Sequence, residues 1–443
     1  MASELKAVFT AKKTALVDRN KEQFEALIRL QAEAGGAHVR MPLSIVAVID
    51  RSGSMGGGRI EAAKACTVDL VKRLHGDDEI GVVVYDQEIT TLLPLTSVTT
   101  AQALIEPLMN AFEARGSTNL HGGWLAGAAL LAPRTGANRV CRVILLSDGH
   151  ANHGVTDVAA ITGQVAQLAQ VGVTTTTVGV GLGFNEELMS GMATAGHGSA
   201  LFGERPEDLA EPFESELGLL ANLVARDVRL LKIGKLGAAA WKVHNAYVYD
   251  ELLGWSLPSM AAGSEAWVAV SIEMSDLLLA RRRGEDISMR IEFNSIDADG
   301  ATRTQSALWN LNELPVLSAA EYDAMPADDL AVRRFDELAV ADILTRAREA
   351  VLKRDWTTVA ALLEDVQQRA KTNAWLQSVV HALEQMLEQR DADRMAKEMH
   401  YQANFMMATP AASLESSGPD DVEIPTFLRR KSVRGRKSEK KFF

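Results

Sequence analysis

At 443 residues the chain is longer than one hydrophobic core usually organises, so two or three domains are expected. Its 47% apolar and 23% charged residues are ordinary for a soluble globular protein, and a formal net charge of -12 argues against a nucleic-acid partner. The folded body is more acidic than that total, because Arg429, Arg430, Lys431, Arg434, Arg436, Lys437, Lys440 and Lys441 gather at the end against Glu439.

The opening MASELKAVFTAKKTALVDRN has no apolar core of signal-peptide length, and no stretch approaches the length of a membrane span. The default expectation is the cytoplasm. Cys66 and Cys141 are too few for a disulfide framework and read as buried free thiols.

Residues 5–35 read as two strands around a polar turn at 18–20; the broken alternation of 23–32 also fits a short helix. LSIVAVID, ending at Asp50, is a continuous apolar run, the pattern of a strand covered on both faces. A helix from Arg59 to about Leu74 follows, with Ile60, Ala63, Cys66, Leu70 and Leu74 at helical spacing. EIGVVVYD is the next strand, and Ile89–Leu93 a short one that can pair with it as a hairpin. Helices near 100–113 and 121–131 precede the strand RVCRVILLSD; a helix near 155–170 precedes TTTTVGVG; further helices fall near 185–193 and 206–220. This alternation predicts a mainly parallel sheet with crossover helices, whose ligands bind beyond the carboxyl ends of the strands. Asp50, Asp86 and Asp148 lie at those ends.

After about 222 the period returns to two, and DVRLLKIG, WKVHNAYVYD, EAWVAVSIEM, DISMRIEFNSI and TRTQSALWNL read as antiparallel strands. Helical patterns return over 328–352, 356–369 and 372–389, with 395–407 as an extension. The expected fold class is α/β. A Rossmann-like domain over 39–221 is inserted in an antiparallel β-sandwich built from 1–38 and 222–320; a small helical domain over 326–408 and a disordered basic tail over 409–443 follow.

Asp50, Ser52 and Ser54 stand at i, i+2 and i+4 directly after a buried strand, in a loop extended by Gly56–Gly58. One carboxylate and two hydroxyls at this spacing can converge on a hard cation such as magnesium, with manganese or calcium as substitutes. Downstream, Gly116-Ser117-Thr118-Asn119-Leu120 supplies a hydroxyl before another helix, and Leu146-Ser147-Asp148-Gly149 ends a buried strand in a carboxylate. Taken singly, Asp50 and Ser52 can also be read as helix caps and Asp148 as a strand-end turn residue.

Together, the DxSxS loop, the threonine loop and the strand-end aspartate over about 43–220 resemble the von Willebrand factor type A superfamily and its metal-ion-dependent adhesion site. The resemblance implies that Ser52, Ser54 and Thr118 coordinate the metal directly, while Asp50 and Asp148 act through bound waters. Such an ion keeps its appetite for a partner's carboxylate. The wider layout, with Asp-Arg-Ser-Gly-Ser-Met between flanking strands, is similar to bacterial inter-alpha-trypsin-inhibitor heavy chain-like proteins.

Around this constellation, Arg51 and Met55 are expected to flank the ion at the surface, and His150, Asn152 and His153 to touch a partner. Asp86 reads equally as a support of the metal loop or as an ordinary strand-end residue. Trp124 reads as helix packing, and Tyr401, Phe405, Met406 and Met407 as core. No GxGxxG or Walker-type phosphate loop is present, and His197 has no evident acid or nucleophile beside it in sequence. The expected function is non-enzymatic capture of a protein partner that donates a Glu or Asp side chain to the metal. The alternative is an adaptor subunit of a MoxR- or chelatase-like AAA+ ATPase machine. Ile424, Phe427 and Leu428, followed by Arg429–Lys431, form an apolar-basic cluster that can dock on a second partner or on the protein itself. It resembles the C-terminal peptide of the bacterial tubulin-like division protein.

Overall fold

A computed structural model describes residues 5–19, 21–32, 40–136, 139–181, 184–203, 213, 216–233, 241–296, 302–371 and 373–408. The segment 422–431 lies outside them. The chain opens with β1 (Leu5–Ala11), the short β2 (Leu16–Val17) and β3 (Gln23–Ala32). Residues 23–32 are thus a strand and not a helix. Their alternation is broken because both faces are covered: Phe24, Ala26, Ile28 and Leu30 enter one core, while Leu27 on the other face enters a second.

The strands β4 (Leu43–Asp50), β5 (Glu79–Tyr85), β6 (Ile89–Ser97), β7 (Val140–Ser147), β8 (Val173–Val180) and β9 (Ala200–Gly203) make one sheet in the order β6-β5-β4-β7-β8-β9. All pairs are parallel except β6, which returns antiparallel along β5. The crossovers are α1 (Arg59–Arg73), α2 (Val98–Met109), α3 (Leu120–Leu131), α4 (Val158–Gln170) and α5 (Glu186–Ala195). Every residue of β4 is buried: Ile45, Ala47 and Ile49 pack under α1 and α2, and Val46 and Val48 under α3. Each large side chain buried this way contributes about 1.5–3 kcal/mol, which makes β4 a rigid base for the loop that follows it. Trp124 is fully buried on α3 and donates Nε1–H to Thr175 Oγ1 at 3.0 Å, as core packing requires. Cys66 and Cys141 are free and buried, and burial pushes the Cys141 thiol up to about 11.

The remaining strands are β10 (Leu223–Ile233), β11 (Lys242–Val243), β12 (Val248–Asp250), β13 (Gly254–Ser256), β14 (Met260–Ala261), β15 (Glu265–Glu273), β16 (Ser288–Ile296), β17 (Thr302–Asn310) and β18 (Val316–Leu317). With β1 and β3 they form two antiparallel sheets, β1-β3-β15-β11 and β12-β13-β10-β16-β17, with β14 also on β10, while β18 pairs parallel with β2 in a separate two-stranded ribbon. Residues of both sheets, among them Phe24, Ile28, Val268, Val228 and Ile291, share one core, so this is a sandwich.

Two segments depart from the sequence expectation. WKVHNAYVYD is two short strands in different sheets, because Asn245 leaves the ladder. Its buried amide accepts from Ala269 N at 2.8 Å and donates to the Trp267 carbonyl at 3.1 Å, taking over the pairing the backbone gives up. Met274, read as the last residue of the strand EAWVAVSIEM, instead opens a helix, Met274–Arg282, whose Met274, Leu277 and Leu278 enter the sandwich core.

The helices Asp329–Leu352, Trp356–Ala370, Ala374–Gln389 and Ala392–Ala408 follow, and a shared apolar core joins them. Asp328 caps the first through Ala331 N at 2.9 Å. Ala331, Phe335 and Leu338 near the start of that helix pack on Leu27, Trp267 and Ala269, the outer face of β3 and β15. Met406 is buried and Met407 packs against both cores. Further along, Arg348 pairs with Glu186 on α5 at 3.2 Å, and the His400 ring lies 3.4 Å from Ser190 Oγ. The bundle therefore touches both the sandwich and the α/β layer. No helix among the described residues is long and apolar enough to cross a membrane.

Candidate metal centre

Three loops meet here, one after β4, one joining α2 to α3 and one after β7, and main-chain hydrogen bonds lace them together. Gly53 N donates to Gly116 O at 3.0 Å and Arg115 N to Arg51 O at 2.6 Å, tying the DxSxS loop to the threonine loop. Asn152 N and His153 N both donate to Thr118 O at 3.1 Å, tying the threonine loop to the third. Gly116 makes the close approach feasible. It has φ +71°, and a Cβ there would lie 2.0 Å from Gln87 Oε1, which accepts from Ser117 N at 2.9 Å.

Asp50 and Asp148 are fully buried, Ser52 and Thr118 nearly so, while Ser54 is exposed at the rim. Asp50 Oδ1 accepts from Ser52 N at 2.8 Å and Oδ2 from Ser147 Oγ at 2.6 Å. The hydroxyls of Ser52 and Ser54 lie 3.1 Å apart. Burial pushes the Asp50 carboxyl up from its ordinary value; hydrogen bonds from Ser147 and Ser52 pull it back, and the Asp148 charge pushes it further up. Tyr85, fully buried beside them, is raised well above an ordinary phenol by burial and then by the Asp50 charge. Two buried carboxylates are costly without a counter-charge, and Arg59 Nη1, 3.5 Å from Asp148 Oδ2, supplies part of one.

The donor set bears on which cation would fit. Asp148 Oδ2 is buried and accepts no hydrogen bond, an orphaned acceptor of the kind a hydrated ion satisfies. Among the described residues no group of three His, Cys, Asp or Glu side chains forms a cage, so a metal here depends on hydroxyls and water. Magnesium fits that set, and zinc does not.

Some residues are not where the sequence put them. Met55 is fully buried and Arg51 is 8% exposed, so neither flanks the site at the surface. Met55 fills the core under the loop, and Arg51 turns inward because the buried Asp86 holds its Nε at 3.2 Å. Asp86 also takes Arg115 Nε at 2.8 Å; burial pushes its carboxyl up, but the Glu88 N–H and then the two arginines hold it below the usual range. Asn152 accepts from Thr118 N at 2.7 Å through Oδ1, so its side chain positions the threonine loop. Sequence reasoning missed Ser147, whose Oγ donates to Asp50 and accepts from Gly149 N at 2.8 Å. The available signal was a hydroxyl at the end of an otherwise apolar strand.

Comparison with known proteins identifies the domain that carries these loops. Residues 44–214 match the model of the von Willebrand factor type A domain. An uncharacterized protein of Synechocystis is 27% identical over 209 residues, 47% of this chain and 49% of that protein. Escherichia coli YfbK is 30% identical over 194 residues, 42% of this chain and 32% of that protein. Human inter-alpha-trypsin inhibitor heavy chain H3 is 26% identical over 167 residues, 36% of this chain and 19% of that protein. The matched region thus spans half or less of these curated relatives. Among solved structures, a von Willebrand factor type A protein from Catenulispora acidiphila superposes with TM-score 0.68 at 16% identity, covering 92% of this chain and 98% of that one. The ArnB paralog VWA2 from Sulfolobus acidocaldarius gives 0.59 at 15%, covering 93% and 99%. Residues 44–214 of this chain are a von Willebrand factor type A domain.

Proposed function

We propose that this domain captures a protein partner through a magnesium ion held by Ser52, Ser54 and Thr118 directly and by Asp50 and Asp148 through water. Manganese and calcium are the natural substitutes. When bound, the ion supplies a Lewis-acidic position for a Glu or Asp side chain of the partner. The observation that carries this reading is the buried Asp148 Oδ2, which accepts no hydrogen bond and faces Arg59 at 3.5 Å, among three loops laced by main-chain hydrogen bonds. The reading is of binding and not catalysis, since the Ser52 and Ser54 hydroxyls bond each other instead of a base. We take 1–38 with 222–320, 39–221 and 326–408 as the protein's three folded units, the last two presenting and bracing this face.

The test is capture by the immobilised full chain in magnesium, elution with EDTA and identification by mass spectrometry. Asp50→Ala and Thr118→Ala should lose the captured protein while remaining folded by circular dichroism. Equal capture by both variants and in EDTA would sink the reading. An ATPase in the eluate would instead favour the role of adaptor to an ATP-driven machine.

A further inference from the structure

We propose that Arg59 shares Asp148 with the bound divalent cation and thereby sets how tightly the site holds it, an inference that rests on the metal reading above. Arg59 is the first residue of α1. A positive charge there is disfavoured by the helix dipole, and a nearby anion offsets that cost. The side chain folds back over Gly181 at the end of β8, where a Cβ would lie 2.7 Å from Arg59 Nε and 3.1 Å from its Cδ. From that seat Nη1 donates to the Ser54 carbonyl at 2.8 Å and stands 3.5 Å from Asp148 Oδ2.

The guanidinium thus bridges the first and third loops and faces the one carboxylate oxygen of the centre that accepts no hydrogen bond. Its neighbours are committed elsewhere: Arg51 and Arg115 both pair with Asp86. A buried carboxylate is costly without a counter-charge, and Arg59 offsets part of that cost for Asp148. The same fixed positive charge repels a divalent ion a few ångströms away and withdraws part of the Asp148 field from it. Arg59 therefore holds magnesium affinity below what the hydroxyls and carboxylates alone would give. It keeps the ion exchangeable and short of negative charge, the condition under which it attracts a partner's carboxylate.

The experiment is calorimetric titration of magnesium chloride into the full chain and into Arg59→Gln, Arg59→Met and Arg59→Lys, with melting temperatures taken in EDTA and in magnesium. The two neutral variants should bind magnesium about tenfold tighter than wild type, and Arg59→Lys within about twofold of it. The neutral variants should also melt lower in EDTA and gain more from magnesium than wild type does. Gln and Met differ in shape and in hydrogen bonding to Ser54, so failure of one to fold leaves the other to decide. If wild type binds magnesium and the folded neutral variants bind it no tighter, Arg59 is structural and this proposal falls while the metal reading stands. If no variant and not the wild type binds magnesium, the metal reading falls and takes this proposal with it.

Discussion

The Asn185 amide donates to the Asp148 carbonyl at 2.9 Å, and the Asn185 side chain caps α5 through Leu188 N. One residue thus joins the strand-end aspartate of the candidate centre to the start of a helix. The next residue, Glu186, is the one that Arg348 of the helical bundle grips.

Removing that grip should loosen α5. Glu186 is buried, and burial raises its carboxyl while Arg348 is the first of the charges that pull it back. Arg348→Ala leaves the acid buried without its partner, and about 1–3 kcal/mol of stability should be lost. Amide exchange over 186–195 should accelerate in the variant more than exchange in β4. Unchanged protection of α5 would show that the bundle does not brace it.

The same contact should make stability depend on pH. Burial, then the charge of Arg348, lowers the His400 pKa from 6.5 to about 4, with Ser190 and Asn404 as its hydrogen-bond partners. The unfolded chain takes up the proton first as pH falls. The contribution of neutral His400 is therefore complete above 6.5 and is lost between 6.5 and about 4, amounting to at most about 3 kcal/mol. Urea unfolding from pH 4.5 to 7 should show this slope in wild type and a shallower one in His400→Gln. Equal slopes would remove His400 as the cause.

Much of this architecture was legible in the residues. The parallel strands announced themselves because burial on both faces gives runs such as LSIVAVID, and the positions of Asp50 and Asp148 followed from where two of those runs stop. What escaped were effects of tertiary partners. Nothing local to Arg51 says that Asp86 will turn it inward, and Met55 reads as exposed only until the core under its loop is known. Asn245 splits one predicted strand in two by bonding to β15, a partner remote in sequence. The strand Gln23–Ala32 looked ambiguous because the bundle covers its second face, which the period of the strand alone does not reveal.

A third prediction concerns the joint between bundle and sandwich. Arg334 is 4% exposed, pairs with Glu337 at 2.9 Å and donates to the Met406 carbonyl at 2.7 Å. Arg334→Ala strands the buried Glu337 carboxylate and frees the end of the last helix, at a cost of about 3–5 kcal/mol. Arg334→Met with Glu337→Leu should recover most of it, because an apolar pair of similar volume needs no counter-charge. A double variant as unstable as the single one would mean that the Met406 bond, not the ion pair, carries the joint.

The last prediction separates two reasons for glycine at 116. Its φ of +71° costs a side-chain-bearing residue about 1–2 kcal/mol. A Cβ would also collide with Gln87 Oε1, the acceptor that holds Ser117 N. Gly116→Ala should therefore weaken magnesium binding by displacing Thr118, with little change in far-ultraviolet circular dichroism because the strands are untouched. Adding Gln87→Ala removes the collision and leaves the backbone strain. If the double variant regains wild-type affinity, crowding was the constraint; if it stays weak, the left-handed backbone or the lost Ser117 bond was. Gly116→Asn with Gln87→Ala distinguishes those two, since asparagine tolerates this conformation better than alanine and still cannot replace the Ser117 acceptor from its own position. Wild-type affinity in Gly116→Ala alone would show that the threonine loop shifts freely and that its register is not set by this glycine.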